Sequence, residues 1–165
     1  MKRKMLCLLL CMNLVVPTCV TASPFDKGVM NLSILFGSGR AYNDSYNVLG
    51  VGVGYFLLNG LHLGLDYEYW AGGDPTIQQI SPRISYVFNR HGGFSPYVGT
   101  FYRKTKIDNF PDSDAVGGRA GIFMRSGRSF IIGAGMAYIE YLDCEETLVN
   151  DCSDTYPEFT FAAYF

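Results

Sequence analysis

A few charged residues fall inside segments that are otherwise apolar or small in side chain. Burying an isolated ion costs many kcal/mol, so charges of opposite sign in an apolar setting must pair with one another. These residues are Asp66, Glu68, Arg83, Arg119 and Glu158, with Arg103 as a further candidate. Their types predict a salt-bridge network that forms a polar core. A narrow or gated pore through the same network is the alternative.

Carboxylates concentrate toward the end of the chain and in one earlier connection. The later group comprises Asp143, Glu145, Glu146, Asp151 and Asp154, and the earlier one comprises Asp108, Asp112 and Asp114. Such residues could bind divalent cations or a basic ligand, or could simply be solvated. The spacing Asp112-Ser-Asp114 is not a calcium motif by itself, and we predict neither a metal site nor a cofactor.

The first 22 residues have the pattern of a secretory signal peptide. Lys2, Arg3 and Lys4 precede an apolar run from Met5 to Val16, and small residues lead to a cleavage site after Ala22. A lipoprotein signal that uses Cys19 is the alternative, although Pro17-Thr18 is a poor approach to a lipidated cysteine. We therefore divide the chain into a signal peptide, 1–22, and one mature domain, 23–165.

Cleavage would leave two cysteines, Cys144 and Cys152, among the later acidic residues. An even pair in an exported protein predicts one disulfide. Closing so short a loop stabilises the fold by about 2–3 kcal/mol in the chain-entropy model.

The composition narrows the class of protein further. The 165 residues are 48% hydrophobic and 15% aromatic but only 17% charged, which argues against disorder and is unusual for a soluble enzyme. A formal net charge of −2 provides no basic surface for nucleic acid.

From Gly28 onward the chain alternates apolar and polar residues in segments separated by Gly, Asn, Asp and Pro. In the first segment, for example, Leu32, Ile34 and Phe36 share one face. The eight predicted strands are 28–36, 46–57, 61–70, 77–88, 94–106, 115–125, 129–142 and 155–165. One face of each predicted strand carries the large apolar side chains. The few charges lie on the other face, together with small residues.

This pattern is inverted relative to a soluble sandwich, because the charges occupy the face where a soluble core would be. A membrane barrel accounts for this inversion, because its apolar groups face lipid and its polar groups line the interior. Since every backbone N–H and C=O in lipid must be paired, a spanning sheet has to close on itself. We predict an all-β fold, an eight-stranded antiparallel transmembrane β-barrel.

Two further features accord with this fold. The odd-numbered connections are predicted to be longer than the even ones, as extracellular loops are longer than periplasmic turns. Aromatic residues are predicted to form girdles at both interfaces. These are Tyr67, Tyr69, Trp70, Tyr138 and Tyr141 at the outer ends of strands, and Phe88, Phe94 and Phe165 at the inner ends.

The last segment, Phe159-Thr-Phe-Ala-Ala-Tyr-Phe165, resembles the C-terminal signal that the barrel-assembly machinery reads, with Phe161, Tyr164 and Phe165 at its apolar and aromatic positions. Together with the export signal and the strand pattern, it makes the chain similar to small outer-membrane barrels of the OmpA-transmembrane or OmpX/Ail type. Ser95-Pro96-Tyr97-Val98-Gly99 is also similar to strand starts in that superfamily. The resemblance implies a bacterial outer-membrane location and a monomer.

Some barrels of this size modify lipid A, and similar deacylases carry a His-x-Ser pair because the serine needs an adjacent base. Here His62 is followed by Leu63-Gly64 and His91 by Gly92-Gly93, so we do not expect an enzyme. A palmitoyltransferase-like site would need a histidine near the outer surface, and both histidines are predicted near the periplasmic end.

The expected function is a structural or surface-interaction role, in membrane integrity, adhesion or evasion of host defences, carried by extracellular loops. The alternative is a narrow channel for small or hydrophobic solutes. Expected partners are membrane lipids, lipopolysaccharide, the assembly machinery and a host or matrix ligand. Arg40, Lys104 and Lys106, with Arg103, are candidates to contact lipopolysaccharide phosphates.

Overall fold

The computed structural model describes residues 23–41, 44–88, 93–127, 129–142 and 152–165. They form eight β-strands: β1 Met30–Ala41, β2 Asp44–Leu58, β3 Leu61–Ala71, β4 Ile77–Val87, β5 Phe94–Ile107, β6 Ser113–Ser126, β7 Phe130–Tyr141 and β8 Ser153–Tyr164. No helix in the described ranges is long and apolar enough to cross a membrane. The predicted signal peptide, 1–22, lies outside the described residues.

The eight strands form one closed antiparallel barrel in which each strand pairs with its sequence neighbours. Closure comes from the pairing of β1 with β8, which joins Asn31–Phe36 to Phe159–Tyr164. Met30 and Phe165 extend this pairing, because each backbone N–H donates to the carbonyl oxygen of the other, at 3.0 and 3.1 Å. The predicted fold is therefore confirmed.

The side chains of the barrel are arranged inside out. In β1, Leu32 and Ile34 are 50% and 43% exposed, whereas Asn31 and Ser33 are buried. The same alternation continues around the barrel and forms an apolar belt on the outer surface. The belt comprises Met30, Leu32, Ile34, Phe36, Leu49, Val51, Val53, Leu63, Leu65, Tyr67, Ile80, Ile84, Val98, Ile122, Met136, Tyr138, Phe159 and Phe161.

The glycines that recur at every second position of β2 make room for the polar core. Gly50 pairs with Glu68 and Gly52 with Asp66 on β3, all on the inward face. A Cβ atom at Gly50 would lie 3.0 Å from Glu68 Cγ, and one at Gly52 would lie 2.6 Å from Ser33 Oγ. Small residues on β2 thus leave the lumen to the long ionic side chains of its neighbours.

The predicted alternation in connection length is wrong. The connections are 42–43, 59–60, 72–76, 88–93, 108–112, 127–129 and 142–152, so the first is short and only the last is long. The first connection was predicted to be long because residues 37–45 lack apolar alternation. In the structure these residues continue the hairpin, with Gly37 to Ala41 paired to Asp44 to Val48. Strand pairing continues beyond the apolar belt. The side chains there no longer alternate between apolar and polar, so the sequence pattern does not reveal the strands.

Two of the aromatic residues that were predicted for the outer girdle point into the lumen instead. Tyr67, Tyr69 and Tyr138 are exposed on the outer surface, as expected. Trp70, however, is buried in the lumen with Tyr46 and Ile77, and Tyr141 packs inside as well. Their position in the two-residue repeat places them inside, and this overrides the general preference of aromatic residues for the interface.

Val51→Arg tests the assignment of the apolar belt. Arginine near the middle of a lipid-facing strand costs about 2–4 kcal/mol, so we expect the free energy of unfolding to fall by that amount. Urea titration of the protein refolded in lipid vesicles measures the change. Thr155→Arg, at the exposed outer end of β8, is the matched control. Equal losses in the two variants would contradict a hydrocarbon-facing belt.

Candidate functional site: the ionic lumen

Arg103 organises the outer layer of the lumen. Its Nη2 donates to Glu68 Oε1 at 2.9 Å, its Nε to Ser81 Oγ at 3.0 Å and its Nη1 to the Tyr156 hydroxyl at 2.7 Å. The guanidinium carbon also lies 4.9 Å from the centre of the Phe101 ring, within cation–π range. Four strands are tied together by this one side chain.

A second layer lies toward the end of the barrel that carries both termini. Arg119 Nη2 contacts Glu158 Oε2, and its Nη1 lies 3.5 Å from Asp66 Oδ2. Arg83 Nε reaches the same Asp66 oxygen at 3.1 Å. The Tyr97 hydroxyl donates to Glu158 Oε1 at 2.9 Å. Aspartate 66 thus bridges two arginines, and Glu158 is held by an arginine and a tyrosine.

The two layers balance their charge. The three arginines face three carboxylates, and none of these side chains is more than 7% exposed. The five residues predicted from the sequence all lie inside, and Arg103 joins them. Because removing one partner leaves an uncompensated buried charge, such a network holds its members in place more firmly than surface pairs do.

Little free space remains around the network. The cavity beside the second layer, lined in part by Asn31, His62, Arg83 and Glu158, measures about 20 Å³. That is room for about one water molecule. The side chains of the network therefore nearly fill this part of the described lumen.

An aromatic stopper closes the lumen at the end that carries the termini. Its buried members are Phe25, Phe56, Val87, Tyr97, Ile131, Ala162 and Tyr164. The Phe25 ring contacts Phe56, with centroids 5.9 Å apart, and Tyr164, with centroids 6.2 Å apart. Between the second ionic layer and this end of the barrel, packed rings therefore fill the lumen.

Phe25 reaches the lumen because the segment before β1 folds back across the barrel mouth. Gly60 N donates to the Phe25 carbonyl oxygen at 2.8 Å, and Gly28 N donates to that of Phe56 at the same distance. Gly60 has φ +81°, a conformation that favours glycine. Sequence reasoning missed this element, since a single Phe next to a predicted cleavage site carries no periodic signal.

The histidines occupy different parts of the chain. His62 is buried in the lumen, 3.2 Å from Asn31 Oδ1, and its ring is tilted against that of Phe56 at a centroid distance of 4.7 Å. His91 lies outside the described residues. His62 thus serves as an interior polar residue between the ionic layer and the stopper.

The described carboxylates of the acidic connections lie at the end opposite the termini. Lys104 Nζ is 3.6 Å from Asp114 Oδ1 and 4.0 Å from Asp112 Oδ2, in an exposed group that contributes about 0–1 kcal/mol. Asp154 is exposed as well. In the described ranges no group of three or more His, Cys, Asp or Glu could hold a metal ion.

Several predicted residues of the last connection lie outside the described residues: Asp143, Cys144, Glu145, Glu146 and Asp151. The disulfide between Cys144 and Cys152 therefore stays a prediction.

The structure corrects the expectation for Arg103 and places the residues of the C-terminal segment. Arg103 points into the lumen and cannot reach lipopolysaccharide, whereas Lys104 and Lys106 are exposed. In the C-terminal segment, Phe161 and Phe165 face outward, but Tyr164 belongs to the stopper.

Comparison with solved structures gives the same fold. The chain is similar to the N-terminal β-barrel domain of Pseudomonas aeruginosa OprF, with a TM-score of 0.69 and 17% identity over 84% of this chain and 98% of that one. It is also similar to Neisserial surface protein A, with a TM-score of 0.61 and 13% identity over 83% and 96% of the two chains. Ail of Yersinia pestis matches with a TM-score of 0.54 and 16% identity over 84% and 100%.

No protein-family model matches the sequence, and no curated protein is significantly similar to it.

The fold and the lumen together define the class of protein. The chain has the fold of small eight-stranded outer-membrane β-barrel proteins, with apolar side chains outside and a paired ionic core inside. An inside-out barrel of this kind is suited to a bacterial outer membrane.

Arg119→Met tests the ionic lumen. It leaves Glu158 without its arginine, and we expect a loss of about 3–5 kcal/mol in the free energy of unfolding. The double variant Arg119→Met/Glu158→Gln removes both charges and should lose less than the single variant. Urea unfolding in vesicles measures these two variants and the single variant Glu158→Gln. A double variant as unstable as the sum of the two single variants would show that the pair is not coupled.

Proposed function

We propose that the protein is a closed barrel that acts through its extracellular surface, in membrane integrity, adhesion or evasion of host defences. The observation that carries this proposal is the filled lumen. Two ionic layers and an aromatic stopper occupy its length, and the cavity between them is about 20 Å³. In a closed barrel, the surfaces that can act are those on its outside, and the outer end carries the exposed charges.

The charge of the outer end supports a role in recognition. Its described acidic residues are Asp44, Asp74, Asp108, Asp112, Asp114, Glu140 and Asp154. Lys104 and Lys106 are the exposed basic side chains described there, and Lys104 already contacts two of the carboxylates. An acidic surface of this kind attracts a basic ligand by long-range electrostatics. We infer a basic host or matrix surface as the partner class.

We infer the remaining partners from the positions of exposed side chains. The apolar belt contacts membrane lipids, and Lys106 on the outer end of β5 is available to lipopolysaccharide phosphates. The outward Phe161 and Phe165 are the side chains we assign to recognition by the barrel-assembly machinery.

A planar-bilayer recording separates a closed barrel from a pore. We expect the refolded protein to give no stable single-channel current, because the ionic layers fill the lumen. Glu158→Gln alters the lumen, whereas Glu140→Gln alters a carboxylate exposed on β7. A stable current that changes in Glu158→Gln and not in Glu140→Gln would establish the narrow channel instead.

Binding of a decalysine peptide to cells that display the protein tests the acidic surface. Asp108→Asn/Asp154→Asn should weaken binding, and rising salt should weaken it in the unmodified protein, since exposed charges are screened within about 10 Å at 0.1 M salt. Lys106→Gln, which removes a positive charge, should not weaken it. Binding that changes neither with these substitutions nor with the salt concentration would contradict electrostatic recognition at this end.

A further inference from the structure

The segment before β1 forms a strap across one mouth of the barrel, and we define the strap as residues 23–28. It is tied to the turn between β2 and β3 by two hydrogen bonds. Gly60 N donates to the Phe25 carbonyl oxygen at 2.8 Å, and Lys27 N donates to Asn59 Oδ1 at 2.9 Å. The strap thereby seats Phe25, which is 2% exposed, among the rings of the aromatic stopper.

The strap begins with a turn that is closed by two reciprocal hydrogen bonds. Ser23 N donates to Asp26 Oδ2 at 2.7 Å, and Asp26 N donates to the Ser23 carbonyl oxygen at 3.0 Å. Pro24 and Phe25 lie between these two residues and are buried. Contact between Ser23 and Asp26 therefore closes the turn from which the Phe25 ring enters the lumen.

The Asp26 carboxylate differs from the carboxylates of the lumen in its partners. Asp66, Glu68 and Glu158 each form an ion pair with an arginine. In the described ranges, no Lys, Arg or His side chain forms an ion pair with Asp26. A hydrogen bond between ionised groups is about twice as strong as one between neutral groups. A positive charge on Ser23 N would therefore provide Asp26 with the partner that the other carboxylates have.

Removal of the predicted signal peptide would place a positive charge on this nitrogen. Hydrolysis of the peptide bond between Ala22 and Ser23 leaves a carboxylate on Ala22 and an α-amine on Ser23. The amine takes up a proton and is mostly cationic at pH 7. Processing at Cys19 would instead leave Ser23 N as a neutral amide. The two modes of processing thus differ in the charge that Asp26 meets.

We propose that cleavage after Ala22 completes the strap: the new α-ammonium group of Ser23 forms an ion pair with Asp26 and holds Phe25 in the mouth of the barrel. Processing of the chain and closure of this end of the lumen are coupled through that pair. The inference rests on the predicted cleavage and not on the proposed role of the outer surface.

The N-terminus of the protein extracted from the outer membrane of expressing cells tests the first step. N-terminal sequencing and the intact mass should show that the chain starts at Ser23, with the sequence Ser-Pro-Phe-Asp. A chain that starts at a lipidated Cys19, or at any residue other than Ser23, would overturn the proposal.

Hydrogen exchange of the Gly60 amide tests the pair itself, because this N–H donates to the Phe25 carbonyl oxygen and exchanges when the strap opens. The processed protein is unfolded in urea, acetylated on its α-amine at a pH where lysine amines stay protonated, and refolded in lipid vesicles. Acetylation removes the charge of Ser23 N and keeps an N–H group. We expect the Gly60 amide to exchange about two- to fivefold faster after acetylation, which is the range for an ion pair that is partly exposed. Amides in the middle of β3 should not change.

Asp26→Asn shows whether this effect belongs to the pair. Asparagine keeps an oxygen that accepts from Ser23 N but carries no charge, so acetylation should leave the exchange of Gly60 unchanged in this variant. Asp154→Asn is the matched control, because Asp154 Oδ1 also accepts from a backbone N–H, that of Thr155, at 2.7 Å but at the opposite end of the barrel. Its response to acetylation should equal that of the unmodified protein.

Acetylation that leaves Gly60 exchange unchanged in the unmodified protein would overturn the proposal. An equal acceleration in Asp26→Asn and in the unmodified protein would overturn it too, since the effect would then not involve the Asp26 carboxylate.

Discussion

Closure of the sheet is the constraint on which the rest of this structure depends. In hydrocarbon, an unpaired backbone N–H or C=O has no water to bind, so the eight strands must pair around a full circle. The seam between β1 and β8 completes that circle from Met30 to Phe36. Once the circle is closed, alternate side chains must face either lipid or a narrow lumen. The apolar belt and the ionic core are two consequences of that single geometric requirement.

The lumen resolves a conflict between charge and space. Charged groups that face inward cannot stay solvated, so each arginine is matched to a carboxylate, and Asp66 serves two arginines at once. Long side chains need volume, and β2 provides it through Gly50 and Gly52. A barrel of eight strands is just wide enough for side chains to fill. The pairing of charges and the filling of the lumen by side chains therefore have the same cause.

The two ends of the barrel differ in the side chains they carry. At the end with the termini, the segment that carries Phe25 closes the mouth with packed aromatic rings. At the other end the strands run beyond the apolar belt, and the exposed residues there are mostly acidic. Hydrogen bonding between β1 and β8 also stops at this end, at Phe36 and Phe159. The proposed recognition surface therefore lies at the end where the strands leave the apolar belt.

The two-residue alternation of the sequence already determines the fold and the sidedness of Asp66, Glu68, Arg83, Arg119 and Glu158, because side-chain direction in a strand is a local property of the backbone. The local backbone does not determine which charged residues pair with one another. Arg103 reaches Tyr156 and Arg119 reaches Asp66 only because closure sets the stagger of distant strands. The return of Phe25 to the lumen and the continuation of β1 to Ala41 likewise had no signal in the polarity pattern. They were decided by space inside the cylinder and by hydrogen bonding between strands, and both exist only after the chain has closed on itself.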